Sequence, residues 1–335
     1  MQVGDRMKLT CIDNNNSFDF GKTSDNYARF RDIYPQSMYD KLIEMGIGKE
    51  SQHILDLGSG TAVLPMNLYH TGAIFTATDI AENQIAVGKR LAEQKGLDRI
   101  AFKVCSAEDT GFGDDSFDAV TAVQCFPYFD AEKAAAEIFR VLKPQGLFCK
   151  ILMDWLPKED HVIAQMIELV QRYNPAWDPE GFDQQEYRFP EWAEDKFTCE
   201  QVISYDVELS FSKEMWLGRV LTCRGVGASL AEDRVKQFEK EYRKALEKYD
   251  EPLCLKHRIH MEWVSPKFCV NSKSRCKTEQ KYYSGAKAPC QHYKRKTECM
   301  SRAAARAAVH FTLDVQAVFC YLGYSGNLSS KKIVS

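Results

Sequence analysis

Apolar positions between residues 50 and 153 follow two alternating periods, one typical of buried strands and one of amphipathic helices. Short apolar runs predict five strands, and the segments between them predict helices that end near glycine or proline. Strands that alternate with helices indicate a mostly parallel sheet with helices on both faces. The predicted strands are 54–57, 73–78, 100–104, 117–123 and 147–153, and the predicted helices are 61–69, 82–95 and 131–142.

After residue 153 the spacing of the elements changes. The pattern predicts a helix at 160–173, a strand at 202–211, a charged helix at 232–249 and a final strand at 253–263. This order is typical of the closing part of a seven-stranded sheet with an insertion after strand five. We therefore expect a Rossmann-like, doubly wound α/β fold with a mostly parallel seven-stranded sheet and an N-terminal helical cap.

Charge and cysteine usage limit the possible partners. Residues 267–335 carry 13 Lys and Arg against 3 Asp and Glu, so the net charge of −3 leaves −13 on the rest of the chain. An acidic body argues against a nucleic-acid or anionic-membrane partner. The basic tail lacks periodicity and is interpreted as a disordered or spurious extension, with a nucleic-acid-binding tail as the alternative.

The sequence contains no apolar run of eighteen residues and no secretory signal pattern, so we expect a cytoplasmic protein without a membrane span. None of the 12 cysteines has C-x-x-C spacing. We therefore expect no bound metal and a reducing compartment. The sequence carries no indication of an oligomeric state.

A glycine-rich turn, Gly58-Ser59-Gly60, directly follows the first predicted strand. Such a turn lets the backbone approach a ligand closely, and the next helix points free N–H groups at it. Asp79 ends the second strand, 19 residues past Gly60, where an acidic residue commonly accepts ribose hydroxyls. Val63 stands where a dinucleotide fingerprint has its third glycine, which disfavours a dinucleotide.

These segments resemble the class I S-adenosylmethionine-dependent methyltransferases, in particular their type 11 (ubiquinone/menaquinone-methyltransferase-like) branch. Residues 56–61, Asp-Leu-Gly-Ser-Gly-Thr, are similar to the first motif of the family, and 78–80 to the ribose-binding second motif. Residues 106–109 and 115–118 resemble its adenine-side segment and fourth strand, and 139–146 the turn into strand five. The resemblance covers roughly residues 18–263.

The resemblance implies a site for S-adenosyl-L-methionine. The glycine turn would face the methionine portion, the second motif would hold the ribose, the third segment would border adenine, and the residues after strand four would form the floor. The run at 27–35 resembles the segment that caps the cofactor pocket in this family, although a packing helix with surface arginines explains it equally well. The implied cofactor-binding residues are Asp56, Gly58, Ser59, Gly60, Thr61, Asp79, Ile80, Ala107, Glu108, Gln124, Cys125 and Tyr27.

The expected activity is methyl transfer to a small-molecule acceptor by in-line displacement, and the sequence identifies no catalytic residue. The alternatives are a catalytically silent S-adenosylmethionine-binding module and a nucleotide-dependent oxidoreductase. The expected parts are a cap segment at 1–49, a cofactor-binding core at 50–153, a substrate-side insertion with the closing strands at 154–266, and the tail at 267–335. Candidates for the acceptor pocket are Tyr128, Asp154, Trp155, Trp177 and Arg224.

Overall fold

The computed structural model describes residue 13, residues 18–179 and residues 193–267. The basic tail beyond residue 267, the first twelve residues and the segment 180–192 lie outside the described residues. The strands are β1 (His53–Leu57), β2 (Ile74–Asp79), β3 (Ile100–Val104), β4 (Phe117–Val123), β5 (Leu142–Trp155), β6 (Phe197–Phe211) and β7 (Leu253–Pro266). The α-helices are α1 (Ser24–Phe30), α2 (Gln36–Glu44), α3 (Val63–Leu68), α4 (Glu82–Gln94), α5 (Ala131–Val141), α6 (His161–Tyr173), α7 (Lys213–Leu221) and α8 (Glu232–Leu246).

The seven strands form one sheet in the order β3-β2-β1-β4-β5-β7-β6. The first five strands pair in parallel, and β7 runs antiparallel to both β5 and β6. The predicted doubly wound, mostly parallel seven-stranded fold is therefore confirmed. The strand order reverses between β1 and β4, and ligands of open α/β sheets bind at the carboxyl ends of the strands beside such a reversal.

The helix predicted to begin at Thr61 instead begins at Val63. Ala62 has a φ of 63°, a left-handed conformation that no α-helix can contain, so Thr61 and Ala62 belong to the turn. The fifth strand extends beyond its predicted bounds at both ends. Helices α7 and α8 both lie between β6 and β7, so much of the substrate-side segment enters the chain after strand six.

The buried core lies on both faces of the sheet. Leu42 of α2 and Leu64 of α3 pack on one face, and Ile138 of α5 packs on the other. A third cluster joins α6, α7 and α8 to Trp155 and Phe211, the last residues of β5 and β6. These helices therefore pack at the edge of the sheet where the parallel strands end.

The N-terminal segment connects this helical cluster to α4. Phe30 of α1 packs so closely on Gly218 of α7 that a Cβ atom built on that glycine would lie 2.5 Å from the phenyl ring. On the other side, the Gln84 side chain donates a hydrogen bond of 3.1 Å to the Phe20 carbonyl. Residues 18–35 thus run across the carboxyl edge of the sheet. No helix in the described ranges has the length and apolar character that crossing a bilayer requires.

Candidate functional site

The turn after β1 has a backbone that only small residues adopt easily. Gly58 and Gly60 both have a φ of +56°, in the left-handed region. A Cβ atom on Gly58 would lie 2.6 Å from the Cβ atom of Cys125, well inside van der Waals contact. The amide of Ser59 donates to the carbonyl of Thr78 at 2.8 Å, which ties the turn to β2. Glycine at position 58 is therefore required by both conformation and space.

Asp79, the last residue of β2, lies directly against this turn. One carboxylate oxygen accepts the amide of Gly60 at 2.9 Å, and the other accepts the amide of Ala81 at 2.8 Å. Burial raises the pKa of Asp79, while these amide donors lower it. A carboxylate has about four lone-pair sites, so two remain to accept hydroxyl groups. Ile80 follows Asp79 at the exit from the strand.

Asp56 in β1 is a buried carboxyl group, only 2% exposed. The hydroxyl of Thr121 in β4 donates to its Oδ1 atom at 2.6 Å. Burial raises the pKa of Asp56 to about 7, although the hydroxyl contact opposes that rise. The carboxyl group therefore changes its charge near neutral pH, beneath the glycine turn.

The residues predicted to border adenine make structural contacts of their own. Ala107 is buried, and the Glu108 carboxylate accepts the amide of Asp130 at 2.8 Å. Asp130 is the N-cap of α5, so Glu108 ties the loop after β3 to the start of that helix. A second contact joins the Glu108 carboxylate to the Ser106 hydroxyl.

The two residues after β4 also fix the backbone. Gln124 has a φ of 59°, and its side-chain amide donates to the Met153 carbonyl of β5 at 2.5 Å. The Cys125 thiol is buried and donates to the carbonyl of Leu57 at 3.1 Å. Cys125 thus lies directly under the turn at Gly58, and Gln124 joins the ends of β4 and β5.

A pocket opens at this edge of the sheet, between the glycine turn and the N-terminal segment. It brings four of the predicted cofactor residues together: Tyr27, Asp56, Gly58 and Ser59. Sequence reasoning did not single out its other lining residues, although the aromatic and arginine run at 27–35 already held two of them. Those other residues are Arg31, Tyr34, Val63, Leu64 and Val123.

The five acceptor-pocket candidates differ in their surroundings. Trp155 and Trp177 are buried in the cluster of α6, α7 and α8, and Tyr128 packs its ring against Phe18, 5.5 Å between centroids. Arg224 forms a 2.7 Å ion pair with Asp13, so its charge is already balanced. The remaining candidate is Asp154, near the end of β5, whose pKa burial raises to about 7. Over the described residues, no group of His, Cys, Asp and Glu is arranged to hold a metal ion.

Comparisons with known proteins agree with this geometry. Residues 55–149 match a family described as a methyltransferase domain. The chain is 26% identical over 268 residues to the uncharacterized methyltransferase YcgJ of Bacillus subtilis, which covers 77% of this chain and 96% of the relative. It is 37% identical over 109 residues to the demethylmenaquinone methyltransferase of Thermus thermophilus, but this match spans only 49% of that relative and 32% of this chain.

Among solved structures, that of the YcgJ protein from Bacillus subtilis has a TM-score of 0.44 and 21% identity, and the match covers 70% of this chain and 100% of that one. The assignment rests on the family match and on the named relatives, together with the observed strand order. The matched segment, 55–149, begins in β1 and ends in β5, so it contains the glycine turn and Asp79. The chain therefore carries a methyltransferase domain of the class I, S-adenosylmethionine-dependent kind.

Proposed function

We propose that this chain binds S-adenosylmethionine at the carboxyl edge of the sheet and transfers its methyl group to a small-molecule acceptor. The observation that carries the proposal is the contact between Asp79 and the amide of Gly60, at the reversal of strand order. A carboxylate fixed by a glycine turn, with lone pairs left over, suits the two hydroxyl groups of a ribose.

The residues around the turn fit the rest of the cofactor. Gly58 and Gly60 leave backbone accessible to its methionine portion, since neither carries a Cβ atom. Thr61 has a buried hydroxyl oxygen with no hydrogen-bond partner within the described residues, so the turn retains unsatisfied polar capacity. Asp56 would orient the methionine portion from below. Ile80 would assist at the ribose, Ala107 and Glu108 would border adenine, and Gln124 and Cys125 would form the floor.

Bound S-adenosylmethionine supplies a methyl group on a positively charged sulfur, which departs as a neutral thioether when an acceptor atom attacks in line. The task of the protein is therefore to align the acceptor and exclude water, and it needs no acid for the leaving group. Tyr27 and Tyr34 line the pocket from the N-terminal segment and would cover it. An aromatic face also attracts a cation, so Tyr27 suits a position beside the sulfonium.

A small acceptor is favoured over a macromolecule because the N-terminal segment and α7 lie over the edge of the sheet. The Arg31 side chain closes part of this cover by donating to the Thr222 hydroxyl at 3.0 Å. The leading alternative is a catalytically silent module that binds the same cofactor. An oxidoreductase is disfavoured because Val63 begins α3 and lines the pocket, where a dinucleotide site has its third glycine.

Calorimetric titration of the full chain with S-adenosylhomocysteine, and separately with NAD, tests the cofactor assignment. We expect S-adenosylhomocysteine to bind and NAD not to bind. The Asp79→Ala variant should bind it more weakly by on the order of 1–3 kcal/mol, because it removes charge-assisted hydrogen bonds. Asp233→Ala on the exposed face of α8 is the matched control and should bind normally. Binding of NAD alone would refute the proposal.

Transfer of labelled methyl groups to a broad panel of small molecules separates the enzyme from the silent module. Transfer to at least one acceptor is expected. Cofactor binding without transfer to any of them would instead support the silent module.

A further inference from the structure

An arginine without a counter-charge lies behind the proposed acceptor side of the pocket. Arg219 of α7 is 1% exposed. Its guanidinium carbon lies 5.5 Å from the ring centroids of both Trp155 and Trp216, and 5.9 Å from that of Phe211. Three aromatic rings therefore surround a permanently polar group in the interior.

The hydrogen bonds of Arg219 do not neutralise it. Its NH1 atom lies 2.7 Å from Nε2 of His257, whose Nδ1 atom lies 3.0 Å from the Leu255 carbonyl. The tautomer that satisfies both contacts donates from Nδ1 and accepts at Nε2. Burial and the positive charge of Arg219 lower the pKa of His257 to about 3, so this histidine is neutral. The Nε atom of Arg219 has no hydrogen-bond partner in the part of the chain that the structure describes.

A second guanidinium lies close to the first. Arg31 donates to the hydroxyl and the carbonyl of Thr222, at 3.0 and 3.2 Å. The same hydroxyl donates to the carbonyl of Arg219 at 2.8 Å, so one threonine links both arginines. Arg31 lines the pocket beside Asp56 and Gly58. Neither arginine forms an ion pair with a carboxylate of the described ranges 18–179 and 193–267.

Two adjacent guanidinium groups without an acid are an unfavourable arrangement in the absence of a ligand. Burial, together with the charge of Arg31, lowers the pKa of Arg219 to about 9, which leaves it mostly protonated at neutral pH. Stacking on aromatic rings recovers only part of the cost of removing a charge from water. Arg224 shows the usual solution nearby, because Asp13 balances its charge at 2.7 Å.

We propose that Arg31 and Arg219 bind a carboxylate group of the methyl acceptor. A guanidinium matches a carboxylate because its planar N–H donors can hold both oxygens. The acceptor would lie between the arginines and the glycine turn, with its anionic end away from the sulfonium. This inference rests on the proposed methyltransferase function and adds the chemical class of the acceptor.

Binding of paired probes to the full chain tests the proposal. Propionate, succinate, benzoate and phenylacetate are each titrated beside the corresponding carboxamide, with and without S-adenosylhomocysteine. At least one carboxylate should bind about tenfold more tightly than its amide, the scale of a charge-assisted hydrogen bond. Arg219→Met should abolish this preference, whereas Arg243→Met, which removes an exposed ion-paired arginine on α8, should preserve it.

Thermal unfolding supplies a second readout. If Arg219 is kept for a ligand, Arg219→Met should unfold at the same temperature as the unmodified chain or higher, because it removes an unpaired buried charge. If that variant does not fold, Arg31→Gln tests the same preference from the pocket side. Equal binding of every carboxylate and its amide, absence of binding by all of them, or an unchanged preference in the folded variants would overturn the proposal. Failure of S-adenosylhomocysteine to bind would instead refute the proposed function, because the probes are also titrated without it.

Discussion

Substitution of Gly58 by alanine should damage both the fold and the cofactor site. The new Cβ atom would lie 2.6 Å from Cys125 Cβ, 2.9 Å from Cys125 Sγ and 3.2 Å from Phe129 Cζ. The left-handed φ of +56° adds a conformational cost of about 1–2 kcal/mol for any residue with a side chain. Overpacking of this kind costs about 1–3 kcal/mol more. The expected loss of unfolding free energy is therefore roughly 2–5 kcal/mol.

Gly96 provides the matched control for Gly58. It also has a left-handed φ, +66°, but no atom lies within 4 Å of the position of its Cβ. Gly96→Ala should therefore show only the conformational cost of about 1–2 kcal/mol. The difference between the two variants isolates the close approach of the turn to Cys125.

Urea unfolding of both variants measures this difference, and S-adenosylhomocysteine titration measures its effect on the site. Gly58→Ala should also weaken binding, whereas Gly96→Ala should not. Adding Cys125→Gly to Gly58→Ala should recover part of the loss, because it removes the two nearest contacting atoms. Equal destabilisation at positions 58 and 96, with no recovery in the double variant, would refute the argument that the turn is tightly packed.

Three further predictions concern stability. Thr121→Val removes the buried hydroxyl donor to Asp56 and should lower the unfolding free energy by about 1–3 kcal/mol; no loss in urea unfolding would contradict the buried contact. Asp154 has a folded pKa of about 7 against about 3.9 in an unfolded chain, so its contribution to stability should fall as the pH rises from about 4 to 7 and then level off. Asp154→Asn should flatten that decline when unfolding is measured at several pH values, and an unchanged pH profile would argue against the raised pKa. Gly218→Ala gains up to about 1 kcal/mol of helix propensity but forces a Cβ atom into the Phe30 ring, at a cost of about 1–3 kcal/mol. A net loss of stability is expected, and a higher unfolding temperature would show that the N-terminal segment is not docked on α7.

Local patterns in the sequence were sufficient to predict most of the sheet. The apolar runs located the first four parallel strands closely, because a buried strand needs a continuous apolar segment. The turn at Gly58 and the carboxylate of Asp79 could be paired from their spacing alone, since adjacent parallel strands end at the same edge. The start of α3 was predicted too early because Ala62 is an ordinary helix-forming residue. Its left-handed conformation depends on how the turn packs.

Long-range features of the site could not be read from the chain. Arg31 and Arg219 are 188 positions apart in the numbering, and the connection through Thr222 exists only after α7 packs against the N-terminal segment. The pattern around Arg219 indicated only a helix beside the pocket. Burial of that arginine beside a neutral histidine depends on β7, which follows α7 and α8 in the chain. Such clusters arise from tertiary packing and leave no periodic signal.

A crystal structure of the full chain grown with S-adenosylhomocysteine tests the central claim most directly. The account predicts the ribose hydroxyls on the Asp79 carboxylate, the methionine portion over the glycine turn, and the sulfur in the pocket lined by Tyr27 and Asp56. Density for the ligand at another edge of the sheet, or at this edge without contact to Asp79, would contradict the account.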